Sequence, residues 1–188
     1  MKQHGAAVFK TTVYALLAIN VWLLIRAAGD DQFVPYKAVD QVGWLLILAV
    51  FEWETRSPAP DAGGRRILGW PLGTELLGYG FAVFALANYL HDRDWLDVVN
   101  SIVWLAISWT IWLDILIPVA VDTPTHRRRS AIKFVLYAAT FVCAVLWGIE
   151  GALLDFYDAA LWILCFFAIE MNLLRFVVPV RDRTARQR

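Results

Sequence analysis

Five polar residues stand within or at the ends of long apolar runs: Glu52, Glu54, Asp114, Glu170 and Asn172. Carboxylates in such surroundings can take up a proton or hold a cation, because a low dielectric strengthens any counter-ion contact. An acidic side chain near the centre of a membrane helix costs about 2.5–3.5 kcal/mol even on a lenient insertion scale, so these groups are expected to face protein or a wet cavity. They are therefore the transport or ion-binding candidates, with Asp114 and Glu170 foremost. Glu54 is followed at once by Thr55 and Arg56, where a helix would leave the bilayer. The competing use of the same side chains is hydrogen bonding that holds membrane helices together.

A second set of residues, Trp44, Trp104, Trp162, Asn88, Glu150 and Asp158, suits an outer vestibule. Indole rings beside acids can line the mouth of a cation path, and acidic surroundings concentrate cations there. The same tryptophans also fit an aromatic belt at the membrane surface. Cys143 and Cys165 read as buried free thiols. No zinc or haem pattern is present, and neither phosphate-loop nor hydrolase motifs occur. No metal, no cofactor and no nucleic-acid partner is expected.

The elements that must position these residues are apolar blocks. The chain has 188 residues, of which 60% are hydrophobic and 18% charged. A soluble domain is usually about 45–50% apolar and about 25% charged. The excess is gathered into stretches of roughly 18 to 22 residues, the length of a helix crossing about 30 Å of hydrocarbon. This predicts an all-α, polytopic membrane bundle of six transmembrane helices, as a single domain. The spans fall at about 8–28, 38–55, 73–91, 96–118, 131–153 and 156–178. The first is expected to be retained rather than cleaved as a signal peptide, since Arg26 stands where small residues would be needed.

Fourteen of the seventeen Lys and Arg residues lie at the N-terminus, in the two basic connections or at the C-terminal end; Arg26, Lys37 and Arg93 are the exceptions. The positive-inside rule then puts both termini in the cytoplasm, in a membrane of the bacterial inner type. The run Arg127, Arg128 and Arg129 suits anionic lipid headgroups. "SPAPDAGG" reads as a turn, and "RRILGWPLGTEL" as a segment lying along the inner headgroups. The bilayer is the expected partner, with a second copy or another membrane subunit as further candidates.

The even-numbered spans align with one another as "DQVGWLLILAVFEWE" from Asp40, "NSIVWLAISWTIWLD" from Asn100 and "DAALWILCFFAIEMN" from Asp158. Each starts with Asp or Asn, carries Trp four residues later and a polar residue fourteen later. At 100° per residue the offsets 0, 4, 7, 11 and 14 fall within about 40° of one line, and the last lies about 21 Å below the first. The pattern predicts three helical hairpins, 8–55, 73–118 and 131–178, related by a pseudo-threefold repeat, with Glu54, Asp114 and Asn172 converging at the inner half. Glu52 and Glu170 are turned about 120° from that stripe and should face neighbouring helices. The leading functional expectation is a channel or transporter for an ion, proton or small solute. The alternative is a non-catalytic structural or assembly subunit. A membrane-embedded lipid-modifying enzyme ranks last, because no metal or nucleophile constellation supports one.

Overall fold

A computed structural model describes residues 2–27, 35–56, 69–117, 119–120 and 123–173. These form six α-helices, and no strand occurs among them. The helices are α1 (Lys2–Ala27), α2 (Pro35–Arg56), α3 (Trp70–Asp92), α4 (Trp95–Leu116), α5 (Pro124–Glu150) and α6 (Leu153–Leu173). The loop around "SPAPDAGG" and the arginine-rich tail lie outside the described residues.

Local chemistry sets the helix ends. Pro124 opens α5 after Thr123, whose side-chain oxygen accepts from the His126 backbone N–H at 3.2 Å. This is the usual pairing of a threonine cap with proline in the first turn. The helix therefore begins seven residues before the expected span at 131, and the arginine run belongs to it rather than to a loop. At its other end Gly151 takes φ +83°, and the Ala152 N–H donates to the Trp147 carbonyl at 2.9 Å. Such a left-handed residue stops a helix, and glycine adopts it without strain. Arg93 plays the same part between α3 and α4 at φ 60°.

The helices form a closed ring. Each touches the next, α1 touches α6, and α2 and α4 both reach across to α6. The tightest pairing is α2 with α3. The α3 face turned inward carries Pro71, Gly78, Ala82 and Ala85, together with buried Glu75 and Tyr89. Small residues let two backbones approach closely. A Cβ on Gly43 would stand 2.8 Å from the Gly78 carbonyl oxygen, and one on Gly78 would stand 2.8 Å from that of Gly43.

The core follows the stripes of α2, α4 and α6. Trp44, Ile47 and Phe51, Trp104, Ile107 and Ile111, and Trp162, Cys165 and Ile169 are all buried in one cluster. By length and hydropathy two of the described helices, α4 and α5, are able to cross a membrane, and Thr11–Leu23 of α1 is a shorter apolar stretch. Charged residues dilute the others: α2 alone carries Lys37, Asp40, Glu52, Glu54 and Arg56.

Candidate functional site: an aromatic acidic cavity and an opposed ion-pair cluster

Most charged side chains collect at the two ends of the bundle, with a mainly apolar layer between them. At one end the first turns of α2, α4 and α6 meet the last turns of α3 and α5 around a cavity of ≈ 50 Å³. Its aromatic wall is Trp44, Trp104, Trp147 and Trp162, and its acids are Asp40, Asp97, Asp155 and Asp158. Gln41, Asn100, Tyr89 and Lys37 complete the polar lining.

Each acid is held differently. Asp158 accepts from Gln41 Nε2 at 2.7 Å and from Asn20 Nδ2, both neutral donors. Gln41 is itself fixed by Trp162, whose indole N–H donates to Gln41 Oε1 at 2.9 Å. Asp40 accepts from the Tyr89 hydroxyl at 3.2 Å, while its Oδ1 is buried without a hydrogen-bond partner. The Oδ1 of Asn100 is likewise buried and unmatched. Lys37 places Nζ 3.5 Å from Asp97 and 3.9 Å from Asp155. Burial pulls the Lys37 ammonium down, but Asp97, Asp155 and Asp94 more than offset this, so its pKa lies above the ordinary lysine value and it stays charged.

Three of the cavity tryptophans pack on Phe166. Phe166 lies 4.8 Å from the Trp104 ring centroid, 6.1 Å from that of Trp44 and 6.2 Å from that of Trp162. These are ordinary separations for tilted and edge-on aromatic pairs. Beneath them Ile47, Phe51, Ile107, Ile111, Cys165 and Ile169 are fully buried.

At the opposite end two of the acids expected to bind an ion, Asp114 and Glu170, are paired with cations, although Glu170 Oε1 is buried without a hydrogen-bond partner. Asp114 receives Arg129 Nη1 at 2.9 Å and also pairs with Lys133, whose Nζ donates to Glu170 at 2.7 Å. Arg129 further donates to the Ile117 carbonyl at 2.9 Å, covering the end of α4. Glu52 accepts from the Tyr14 hydroxyl of α1 at 2.8 Å. Glu52 and Glu170 thus both face neighbouring helices. No known family, curated protein or solved structure matches this chain.

Of the ten tryptophans, the three at the aligned positions share the cavity wall, and Asp158 joins them. Asn88 and Glu150 do not line the cavity. The Asn88 amide turns back to donate to the Phe84 carbonyl at 2.8 Å, and Glu150 is exposed at the end of α5. Asp114 turns toward α5 instead of meeting Glu54 on a common axis, because Arg129 and Lys133 are there to receive it. Glu54 is half-buried, and the Asn172 side chain lies outside the described residues. Arg129, expected at lipid headgroups with its neighbours, is drawn inward by Asp114, while Arg127 and Arg128 stay exposed. Both cysteines are free and buried, in separate clusters.

Sequence reasoning did not single out Lys133, Gln41 or Glu75. Lys133 carried a signal: it is four residues beyond Arg129, one helical turn along the same face.

Proposed function

We propose that the protein is a six-span membrane transporter or channel for a small ion or solute, with its binding site in the cavity walled by Trp44, Trp104 and Trp162. Both termini would lie in the cytoplasm of a bacterial-type inner membrane, and the three hairpins would descend from one repeated unit. The observation that carries this reading is the contrast between the two ends. Asp40 and Asp158 line a cavity and are held by neutral donors, whereas Asp114 and Glu170 are matched by Arg129 and Lys133. A group held by neutral donors can bind and release a passing charge, and one locked in an ion pair must first break it.

The membrane setting is supported by the outward faces. Phe134, Val135, Phe141, Val142 and Ile149 of α5 are exposed, with Phe134 at 75% and Ile149 at 76%. Large apolar side chains are exposed on the five other helices too, including Trp22, Trp53, Phe84, Trp109 and Phe167. Soluble monomers rarely show apolar patches larger than a few hundred Å². Hydrocarbon removes the penalty, and the positive-inside bias of the connections fits the same orientation.

A structural or assembly subunit is the second reading. It is favoured by the mainly apolar layer at Ile47, Ile107, Ile111 and Phe166, which separates the two polar ends. Reconstitution into vesicles separates the two. Under an imposed cation gradient the transport reading expects a current or pH change above that of empty vesicles, abolished by Asp158→Asn in folded protein. Flux indistinguishable from protein-free vesicles, for inorganic and organic cations alike, rejects it in favour of the scaffold.

A further inference from the structure

We propose that the aromatic acidic cavity takes a small monovalent ammonium-type cation, of the class of ammonium, methylammonium or guanidinium, with Asp40 and Asp158 as its counter-charges. The inference rests on the transport reading above and names its cargo class.

Five observations define the ligand. The cavity holds unmatched acceptors: Asp40 Oδ1 and Asn100 Oδ1 are buried with no donor. A buried acceptor left without a donor costs about 1–3 kcal/mol, so a ligand bearing N–H groups gains by supplying one. The walls are the indole rings of Trp44, Trp104, Trp147 and Trp162, and ammonium and guanidinium cations are attracted to such a ring wherever it presents a face. A divalent metal would want converging oxygen or nitrogen ligands. Among the described residues no group of three or more His, Cys, Asp and Glu is placed to hold a metal ion. The volume of ≈ 50 Å³ corresponds to a handful of water-sized positions at about 10–15 Å³ each. That suits a cationic group of a few heavy atoms, and N–H donors, which a quaternary amine lacks, are what the unmatched acceptors call for.

The last observation is Lys37. Its Nζ lies at the same cavity between Asp97 and Asp155. The chain thus already lodges a primary ammonium of its own against two of the four acids, leaving the other two with neutral donors. Lys37 acts as a tethered competitor. Its repulsion weakens an incoming cation, which keeps the cavity from holding its cargo irreversibly.

The test is binding by the full-length protein in detergent, read by intrinsic tryptophan fluorescence and by calorimetry at constant ionic strength. Methylammonium and guanidinium, at low millimolar levels, are expected to give a saturable change that sodium and tetramethylammonium do not. Asp40→Asn and Asp158→Asn should each weaken binding about thirtyfold or more, as loss of one partner of a buried charge pair does. Lys37→Gln should tighten it. If the aspartate variants do not fold, the cation series on wild type and Lys37→Gln still decides. No saturable change, an equal response to sodium, or unaltered binding in folded Asp158→Asn overturns the proposal. Binding without vesicle flux keeps the ligand class and removes the transport reading. Flux of protons or potassium without ammonium binding does the reverse.

Discussion

Lys133→Met removes the one cation shared by Asp114 and Glu170. In the wild type Lys133, Arg129, Asp114 and Glu170 sum to zero charge. The side chains of Lys133, Asp114 and Glu170 are 13%, 22% and 17% exposed, so solvent screening is limited. At the 2.7 Å separation of Lys133 and Glu170, an effective dielectric of about 20 gives roughly 6 kcal/mol of attraction. Desolvation of both ions offsets part of this, and breaking a buried pair from one side costs about 3–5 kcal/mol in total. For a chain of this size that corresponds to a fall in Tm of about 6–20 °C. Thermal unfolding in detergent, followed by tryptophan fluorescence, reads it. Lys133→Met with Glu170→Gln should recover more than half of the loss, because no bare charge then remains at Glu170. A Tm change within error for the single variant would mean that the cluster is wet and weakly coupled. Asp114 and Glu170 would then return as candidates for an ion path.

Gly78→Ala should destabilise the protein by about 1–3 kcal/mol, the usual range for overpacking, because its Cβ would meet both the Gly43 carbonyl and Ile47 Cγ1 at 2.8 Å. Gly80→Ala on the same helix meets nothing within 4 Å and should be neutral or stabilising by up to about 1 kcal/mol; equal Tm shifts for the two variants would contradict the close α2–α3 contact. Phe166→Ala should open the buried cluster beside the cavity tryptophans that holds fully buried Cys165, so that a small methanethiosulfonate reacts with it faster than in wild type; an unchanged rate in folded protein would show that Phe166 does not seal that cluster. Tyr36, two residues outside the second expected span, donates to Asp92. Burial first, then this bond, pushes its phenol up to about 12. Its ordinary value is about 10, so the stability it contributes is complete below pH of about 10 and is lost as pH rises toward about 12. Ultraviolet difference titration of wild type against Tyr36→Phe should remove one phenol from the late-titrating fraction, and loss from the early fraction would refute the bond.

The helix count and the buried stripes were legible because both are written in period and length. Trp44, Trp104 and Trp162 fall on one line at fixed offsets, and a line of that kind has one interior to face. The partners of the polar residues were not legible in the same way. Asp114 and Glu170 stand 56 residues apart in the chain, and no local pattern states that one lysine on a third helix will serve both. That lysine was hidden by its place at the edge of an apolar block, where a cation reads as a membrane-surface anchor. The contact of Gly43 with Gly78 was equally silent, since single glycines in helices are common and only the pairing gives them meaning. Asn88 looked like a vestibule residue by depth, yet its amide serves its own helix backbone, a choice that sequence position cannot reveal.

Helix direction explains why the acids of the two ends behave differently. Asp97 and Asp155 sit in the first turns of α4 and α6, where unpaired backbone N–H groups favour negative charge. Asp40 and Asp158 follow within the next turn of α2 and α6. Asp114 sits in the last turn of α4, where unpaired carbonyls repel a carboxylate by about 0.3–1 kcal/mol, and Glu170 lies three residues before the last described residue of α6. An acid at a helix start is tolerable without a full counter-ion; an acid at a helix end is not. Arg129 and Lys133, one turn apart near the start of α5, meet that second need, and Arg129 also covers the Ile117 carbonyl. The cations beside Asp114 and Glu170 are thereby committed to structure, while among the described residues lining the cavity a single lysine stands with four aspartates. Charge left over there, beside rings that favour cations, is where an external positive ligand would find the least to displace.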